Sequence, residues 1–246
     1  MLYPLSYGGQ ELRVYVTSRP GIRRLPDMSN DSWRDRLRAL PVFDDDLPGF
    51  ATDAAPADPI TLFTEWLNSA IDDGASQPHA MTIATADAEG APSARTLLLK
   101  DLTPEGFWFA TMSNSRKGLQ LGENPRAALL FYWREHGRQV RVSGDVVVGD
   151  RAAAEADFLQ RSTDARAVAI AGPQSEVLPG RERFESAVAD ARAILEFKPD
   201  YVPTAWTAYL VKPAAVEFWQ ATRDRDQVRL RYTRAAEGWT RELLWP

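Results

Sequence analysis

The chain of 246 residues contains no cysteine. That excludes disulfides, thiolate-bound zinc, iron–sulfur clusters and thiol catalysis. Imidazole is almost as scarce, since His79 and His136 are the whole supply. A three-histidine metal site is impossible, and a Ser-His-Asp triad would have to recruit one of two positions with no nucleophile-elbow motif beside it. No apolar run approaches the ~18–20 residues that span a bilayer. The opening MLYPLSYGGQELRV has no basic stretch followed by a long apolar one, so no secretory signal is expected and a cytoplasmic location is. Positive charge is also short: 29 Lys and Arg stand against 34 Asp and Glu, a net charge of −5. This argues against a bulk electrostatic grip on nucleic acid or a membrane surface, but leaves room for a local basic pocket. Any chemistry must come from carboxylates, from Lys and Arg, or from a borrowed cofactor.

What is present is enough apolar side chain for one substantial domain, with 44% hydrophobic residues and eight tryptophans to pack at a core or an interface. Residues 1–57 read as an arm or linker, rich in Pro and Gly and without a sustained period. Within them a short helix is expected from Asp31 to Leu40, capped near Asn30. Asp44, Asp45 and Asp46 read as a solvated loop, because adjacent carboxylates on one turn do not converge on an ion. From Asp58 the signals sharpen into one domain, 58–246. Asp58 can cap a helix and Pro59 can take its first position. Leu62, Phe63, Trp66, Leu67, Ala70 and Ile71 then recur at helical spacing. Strands follow at Ala80–Ala86, Ser93–Lys100, Phe107–Thr111, Ala127–Trp133 and Arg138–Asp150, each bounded by Gly, Asp or Pro. Five successive strands with tight turns predict a meander that closes into a barrel. Helices are expected at Ala152–Gln160 and Arg181–Phe197, and further strands at 206–213, 215–220, 229–234 and 239–245. The fold class is α+β: an antiparallel barrel with peripheral helices.

Four clusters carry candidate chemistry. In Arg95-Thr-Leu-Leu-Leu-Lys100, alternation puts Arg95, Leu97 and Leu99 on one face and Thr96, Leu98 and Lys100 on the other. Either the strand ends or bulges at Lys100, or the two bases serve different partners. In Ser113-Asn114-Ser115-Arg116-Lys117-Gly118, a capped helix start with two bases reads as a phosphate cradle or as a solvated surface helix. In Arg138-Gln139-Val140-Arg141, Gln139 alternates with Arg138, and an amide in a barrel wall needs partners. Trp219, Arg223, Arg225 and Arg229 form a fourth, basic group, which a sheet edge also explains.

In this order the clusters resemble the pyridoxamine/pyridoxine 5′-phosphate oxidase family, FMN-dependent split-barrel enzymes. The resemblance runs from about Pro56 to Pro246. It rests on PADPITLFTEWL, HAMTIATADAEGAPSARTLLLK, GFWFAT, NSRKG, NPRAALLFYW, RQVRVSG, PQSEV, VEFWQ, RLRY and the terminal LWP. It implies a split β-barrel and a homodimer with FMN at the subunit interface. It implies FMN contacts at Arg95, Thr96, Leu97, Leu98, Leu99, Lys100, Ala110, Thr111, Arg116, Lys117, Gln139, Gln174, Ser175, Trp219 and Arg229. At Ala110 an aromatic is common in the family.

The implied substrate positions match less well. Lys100, Arg161 and Arg225 are kept. A usual phosphate-binding tyrosine is Asp157, a usual serine is Ala165, and the histidine of the family's Arg-Leu-His is Gln227. Arg225 and Gln227 are the implied catalytic positions. A carboxylate facing a phosphate dianion would repel it, and two hydroxyl donors are lost. Either Asp157 points away or the substrate is not pyridoxamine phosphate; a one-residue shift of the alignment would instead bring Arg166 into play. Three readings stand. The lead is an FMN-dependent oxidase passing a hydride from substrate to flavin and on to O2, with vitamin B6 phosphates as best substrate. A specialised oxidase of secondary metabolism, as in phenazine pathways, or a flavin-binding protein without turnover is the second. A purely structural barrel is the third.

Overall fold

The structure is a computed structural model, and it describes residues 5–7, 10–12, 32–43, 47–222 and 226–246. Two compact units divide between Val42 and Phe43. The smaller holds the antiparallel pair β1 (Leu5–Tyr7) and β2 (Gln10–Leu12) and the helix α1 (Trp33–Arg38). α1 is shorter than the expected 31–40 span. Ser32, not Asn30, caps it, its hydroxyl accepting the Asp35 N–H at 3.3 Å. The triplet Asp44–Asp46 lies outside the described residues.

Residues 47–57 belong to the larger unit. The Pro56 carbonyl accepts the Tyr232 hydroxyl at 2.7 Å and the Ala55 carbonyl accepts Arg241 at 2.5 Å. Next comes α2 (Pro59–Asp72), started by the Asp58 carboxylate accepting the Ile60 N–H at 3.0 Å. Of the stripe that the spacing predicts, Leu62, Phe63, Trp66 and Ala70 are buried and Leu67 partly so, but Ile71, on the last turn, is exposed.

The strands are β3 (Ala80–Ala86), β4 (Pro92–Leu98), β5 (Asp101–Thr103), β6 (Gly106–Met112), β7 (Arg126–Trp133), β8 (Arg138–Val148), β9 (Trp206–Gln220), β10 (Val228–Arg234) and β11 (Trp239–Leu243). They do not form a meander. β3 and β4 make a hairpin, as do β7 and β8, but β3 also pairs with β7 while β6 crosses to β9. The 15-residue β9 is the spine. One edge takes β8 along most of its length; the other takes β6 on residues 206–211 and β10 on residues 215–220. A bulge at Ser143/Gly144 bends this pairing. A Cβ on Gly144 would lie 1.9 Å from the Lys212 carbonyl oxygen, so only glycine fits. At the far end, the Lys100 N–H donates to the Trp108 carbonyl at 2.8 Å, bringing the chain after β4 round to β6. The sheet thus curls into a split barrel.

Inside lie Phe63, Phe107, Phe131 and Trp133, with Phe63 edge-on to Phe107 and Phe131 at 4.9 and 4.8 Å. Such buried aromatics each contribute about 3–5 kcal/mol against truncation to alanine. Outside the barrel are α3 (Arg116–Glu123), α4 (Arg151–Leu159), α5 (Thr163–Ile170) and α6 (Arg181–Phe197). α5 was not expected. Its run TDARAVAI is alanine-rich and carries little apolar periodicity, and its start rests on the Ser162 hydroxyl accepting the Ala165 N–H.

Candidate active site

β4 alternates as read: Ser93, Arg95 and Leu97 are half-buried, while Ala94, Thr96 and Leu98 are exposed. The strand ends at Leu98, and Arg95 and Lys100 still serve different partners. Arg95 turns toward β3. Its guanidinium donates to the Thr85 hydroxyl at 2.7 Å and the Ser93 hydroxyl at 2.5 Å. Lys100 points instead to α4, with its Nζ 3.4 Å from Asp157 Oδ1. Leu99 packs on the core.

α3 starts at the Ser115 cap, whose hydroxyl accepts the Gly118 N–H at 3.3 Å. Lys117 is buried. Its ammonium donates to Thr111 Oγ1 at 2.9 Å, Gln174 Oε1 at 3.0 Å and Ser115 Oγ at 3.2 Å. Burial, and then the charge of Arg95, pull it down to about 8. Arg95 is likewise lowered by burial and by Arg116. The Ser175 hydroxyl accepts the Arg116 N–H at 3.4 Å, from a residue held at φ 80°. Three bases therefore converge where a helix begins, and no described carboxylate pairs with any of them. That is an arrangement for an anion. The surface-helix reading of this motif fails for Lys117, which is not solvated.

Beside this cluster opens a cleft of about 660 Å³. Thr96, Leu97, Leu98, Lys100, Ala110, Thr111 and Gln174 line it on one side, and Arg161 and Trp206 close one end. The lining continues through residues of the 168–187 stretch, including Val177, Leu178 and Phe184. Arg161 lies over the Trp206 ring at 4.7 Å and donates to the Ala165 carbonyl at 3.3 Å, while its Nε is buried without a partner. Asp157 is not in the lining of the cleft: Oδ1 faces Lys100 and Oδ2 accepts Trp206 Nε1 at 3.0 Å. Arg166 does not stand in for a lost donor. It is buried and bonded to the Pro199 and Tyr201 carbonyls. His136 is buried against Asp73, 3.0 Å away, and neither histidine lines the cleft.

Gln139, Trp219, Gln227 and Arg229 lie elsewhere. Gln139 pairs with Trp219, and Trp219 with Arg229, across three adjacent strands. Gln139 is on the outer face, not inside the barrel; Arg138 takes the inner side, over the Trp66 ring at 4.4 Å. Trp219 Nε1 donates to Gln227 Oε1 at 2.9 Å. Arg229 binds Glu217 at 2.8 Å and the Trp245 carbonyl at 2.8 Å. Trp206 at the start of β9 lines the cleft, and Trp219 stands thirteen residues further along the same strand at about 3.3 Å per residue, so one chain keeps these residues apart from the cleft. Arg223 and Arg225 lie outside the described residues.

A family model described as pyridoxamine 5′-phosphate oxidase matches residues 67–200, more than half of the chain. A second, described as the pyridoxine 5′-phosphate oxidase C-terminal dimerisation region, matches residues 206–246. The chain belongs to the pyridoxamine 5′-phosphate oxidase family. The pyridoxine/pyridoxamine 5′-phosphate oxidase of Rubrobacter xylanophilus is 41% identical over 198 residues, 80% of this chain and 91% of that protein. The one from a Nocardioides species is 43% identical over 196 residues, 79% and 90% of the two chains. Among solved structures, PhzG from Burkholderia lata 383, in complex with tetrahydrophenazine-1-carboxylic acid, superposes with a TM-score of 0.76 at 32% identity. That match covers 81% of this chain and 99% of PhzG. As a family member the chain is an FMN-dependent oxidoreductase, and its β9–β11 region indicates a homodimer.

The residues present fit FMN. A phosphate dianion needs several cationic donors, and Arg95, Arg116 and Lys117 supply them without a competing carboxylate among the described residues. An isoalloxazine needs an apolar slot with polar tips, and the cleft beside them offers Leu97, Leu98, Ala110 and Gln174. Sequence reasoning overlooked the layer beneath. Gln120 is buried and accepts the hydroxyls of Thr85 at 2.6 Å and Ser93 at 2.8 Å. The signal was there: Gln120 stands three residues after Lys117 and one before Leu121, on the buried side of α3.

Proposed function

We propose that this chain is an oxidase of pyridoxamine and pyridoxine 5′-phosphates, working as a homodimer with FMN between the subunits and O2 as electron acceptor. The carrying observation is that the cleft joins the FMN segment, Thr96 to Lys100, to Arg161 and Trp206. Bound FMN would supply the two-electron chemistry that the side chains lack. Arg95, Arg116 and Lys117 hold its phosphate. Lys100 and Arg161 orient the substrate's anionic group, and the lining residues of the 168–187 stretch limit water. The distance of Gln139, Trp219 and Arg229 from the cleft supports a site completed by a second copy.

Two experiments test this. Aerobic turnover with B6 vitamers should release peroxide with the phosphorylated ones; a yellow protein silent with all of them would remove the substrate assignment. Co-expressing an Arg116→Ala/Lys117→Ala chain with a Gln139→Ala/Trp219→Ala chain should restore about a quarter of the wild-type sites, because random pairing rebuilds one site in half of the dimers. No restoration would place each site within one chain.

A second reading has its own support. Asp157 sits against Lys100, Ala165 offers no hydroxyl, and PhzG shares the fold at 32% identity. An oxidase acting on a carboxylated ring would fit that end of the cleft. Turnover of a dihydroaromatic carboxylate with none of pyridoxamine phosphate would favour it.

A further inference from the structure

Arg95 and Lys117 share an unusual environment. Both are drawn out of water, and every described partner of either is an uncharged oxygen: hydroxyls, an amide and a backbone carbonyl. A carboxylate would hold them more firmly but would cancel the charge an anion needs. Neutral oxygens hold geometry and leave the charge in place. A hydroxyl serves that purpose only if its lone pairs, not its proton, face the base. Something must take the proton.

For Arg95 that acceptor is Gln120. Thr85 and Ser93 each carry one O–H, and both donate it to Gln120 Oε1, at 2.6 and 2.8 Å. Each hydroxyl oxygen is then free to accept from the guanidinium, Thr85 from Nη1 and Ser93 from Nη2. Thr85 and Gln120 are both buried, at 3% and 4% exposure, so water does not substitute. Gln120 has no contact with the cleft.

We propose that Gln120 is a positioning residue for the phosphate end of the cofactor site. By fixing the proton direction of Thr85 and Ser93, it aims an uncompensated Arg95 at a phosphate monoester. The inference rests on the FMN reading but goes beyond it, because it assigns phosphate selectivity to a side chain that never meets the cofactor.

The test uses the full-length dimer, stripped of flavin and titrated with FMN and with riboflavin, followed by flavin fluorescence. Gln120→Leu keeps the volume and removes the acceptor. It should weaken FMN about ten- to hundredfold, the range for an unsatisfied buried partner, and leave riboflavin within about twofold. Thr85→Val should act in the same direction, and the double variant should be no worse than the poorer single one, because one network is broken once. If Gln120→Leu does not fold, Thr85→Val and Ser93→Ala decide by the same selectivity. Equal loss of FMN and riboflavin, or wild-type FMN affinity in these variants, would overturn the proposal. Failure of the unaltered protein to bind FMN would instead overturn the reading beneath it.

Discussion

Lys100 Nζ, in the lining of the cleft, and Asp157 Oδ1 face each other 3.4 Å apart. The pair is partly shielded, with side chains 32% and 16% exposed, and the Trp206 indole holds the carboxylate in place. One of the two bases proposed to orient the substrate is therefore already paired with a carboxylate. Asp157→Asn keeps the indole bond and frees Lys100. It should raise kcat/KM for pyridoxamine 5′-phosphate about three- to thirtyfold, mostly through KM, and leave unphosphorylated pyridoxamine unchanged. Steady-state peroxide release measures both; an equal change for the two substrates would show that the pair does not read the phosphate.

Lys117 predicts a pH dependence. Its ammonium, about 8 in the folded protein, stands below the ordinary lysine value of about 10.4. Under about pH 8 folded and unfolded chains both hold the proton. Between the two values only the unfolded chain does, so the cofactor-free protein should gain stability as pH rises through that window. The proposed phosphate contact needs the charged form, so FMN affinity should fall above about pH 8, by at most about tenfold per pH unit. Fluorescence titration across pH checks this, and Lys117→Met should flatten the profile.

Arg225, a proposed substrate contact, offers a test that separates binding from turnover. Arg225→Ala should lower kcat/KM while the purified protein stays yellow at wild-type flavin content. Loss of flavin in that variant would move Arg225 from the substrate to the cofactor.

Gly144 tests the bulge. Gly144→Ala drives a methyl into the Lys212 carbonyl, a backbone atom that cannot swing aside. The expected cost is about 2–4 kcal/mol. Calorimetry should find a Tm lower by roughly 5–15 °C.

Local signals carried much of the fold. α2 was legible because Asp58-Pro59 is a start that backbone chemistry dictates and Phe63 and Trp66 recur at its period. β3, β4, β7 and β8 were legible because turn residues bracket them. The pairing of Phe107 with Val211 was not, since nothing in either segment names a partner about a hundred residues away. Within the site, the segment from Arg95 to Lys100 and the bases of α3 came from resemblance and from charge at a helix start. The Lys100–Asp157 contact came from neither, because alternation along β4 says nothing about where α4 docks. Spacing put Gln120 on the buried side of α3 but named no partner for it, because Thr85 and Ser93 come from strands that only the fold brings beside it.

The placement of β9 also bears on biosynthesis. Both β6 and β8 wait for a spine that ends at Gln220, near the close of the chain. A ribosome that has finished α6 has released β6 with one main-chain edge unsatisfied and the flavin crevice still unbuilt. Nascent protein is thus exposed to mispairing until β9 emerges, and a stop before Trp206 leaves β6 and β8 without the strand that joins them.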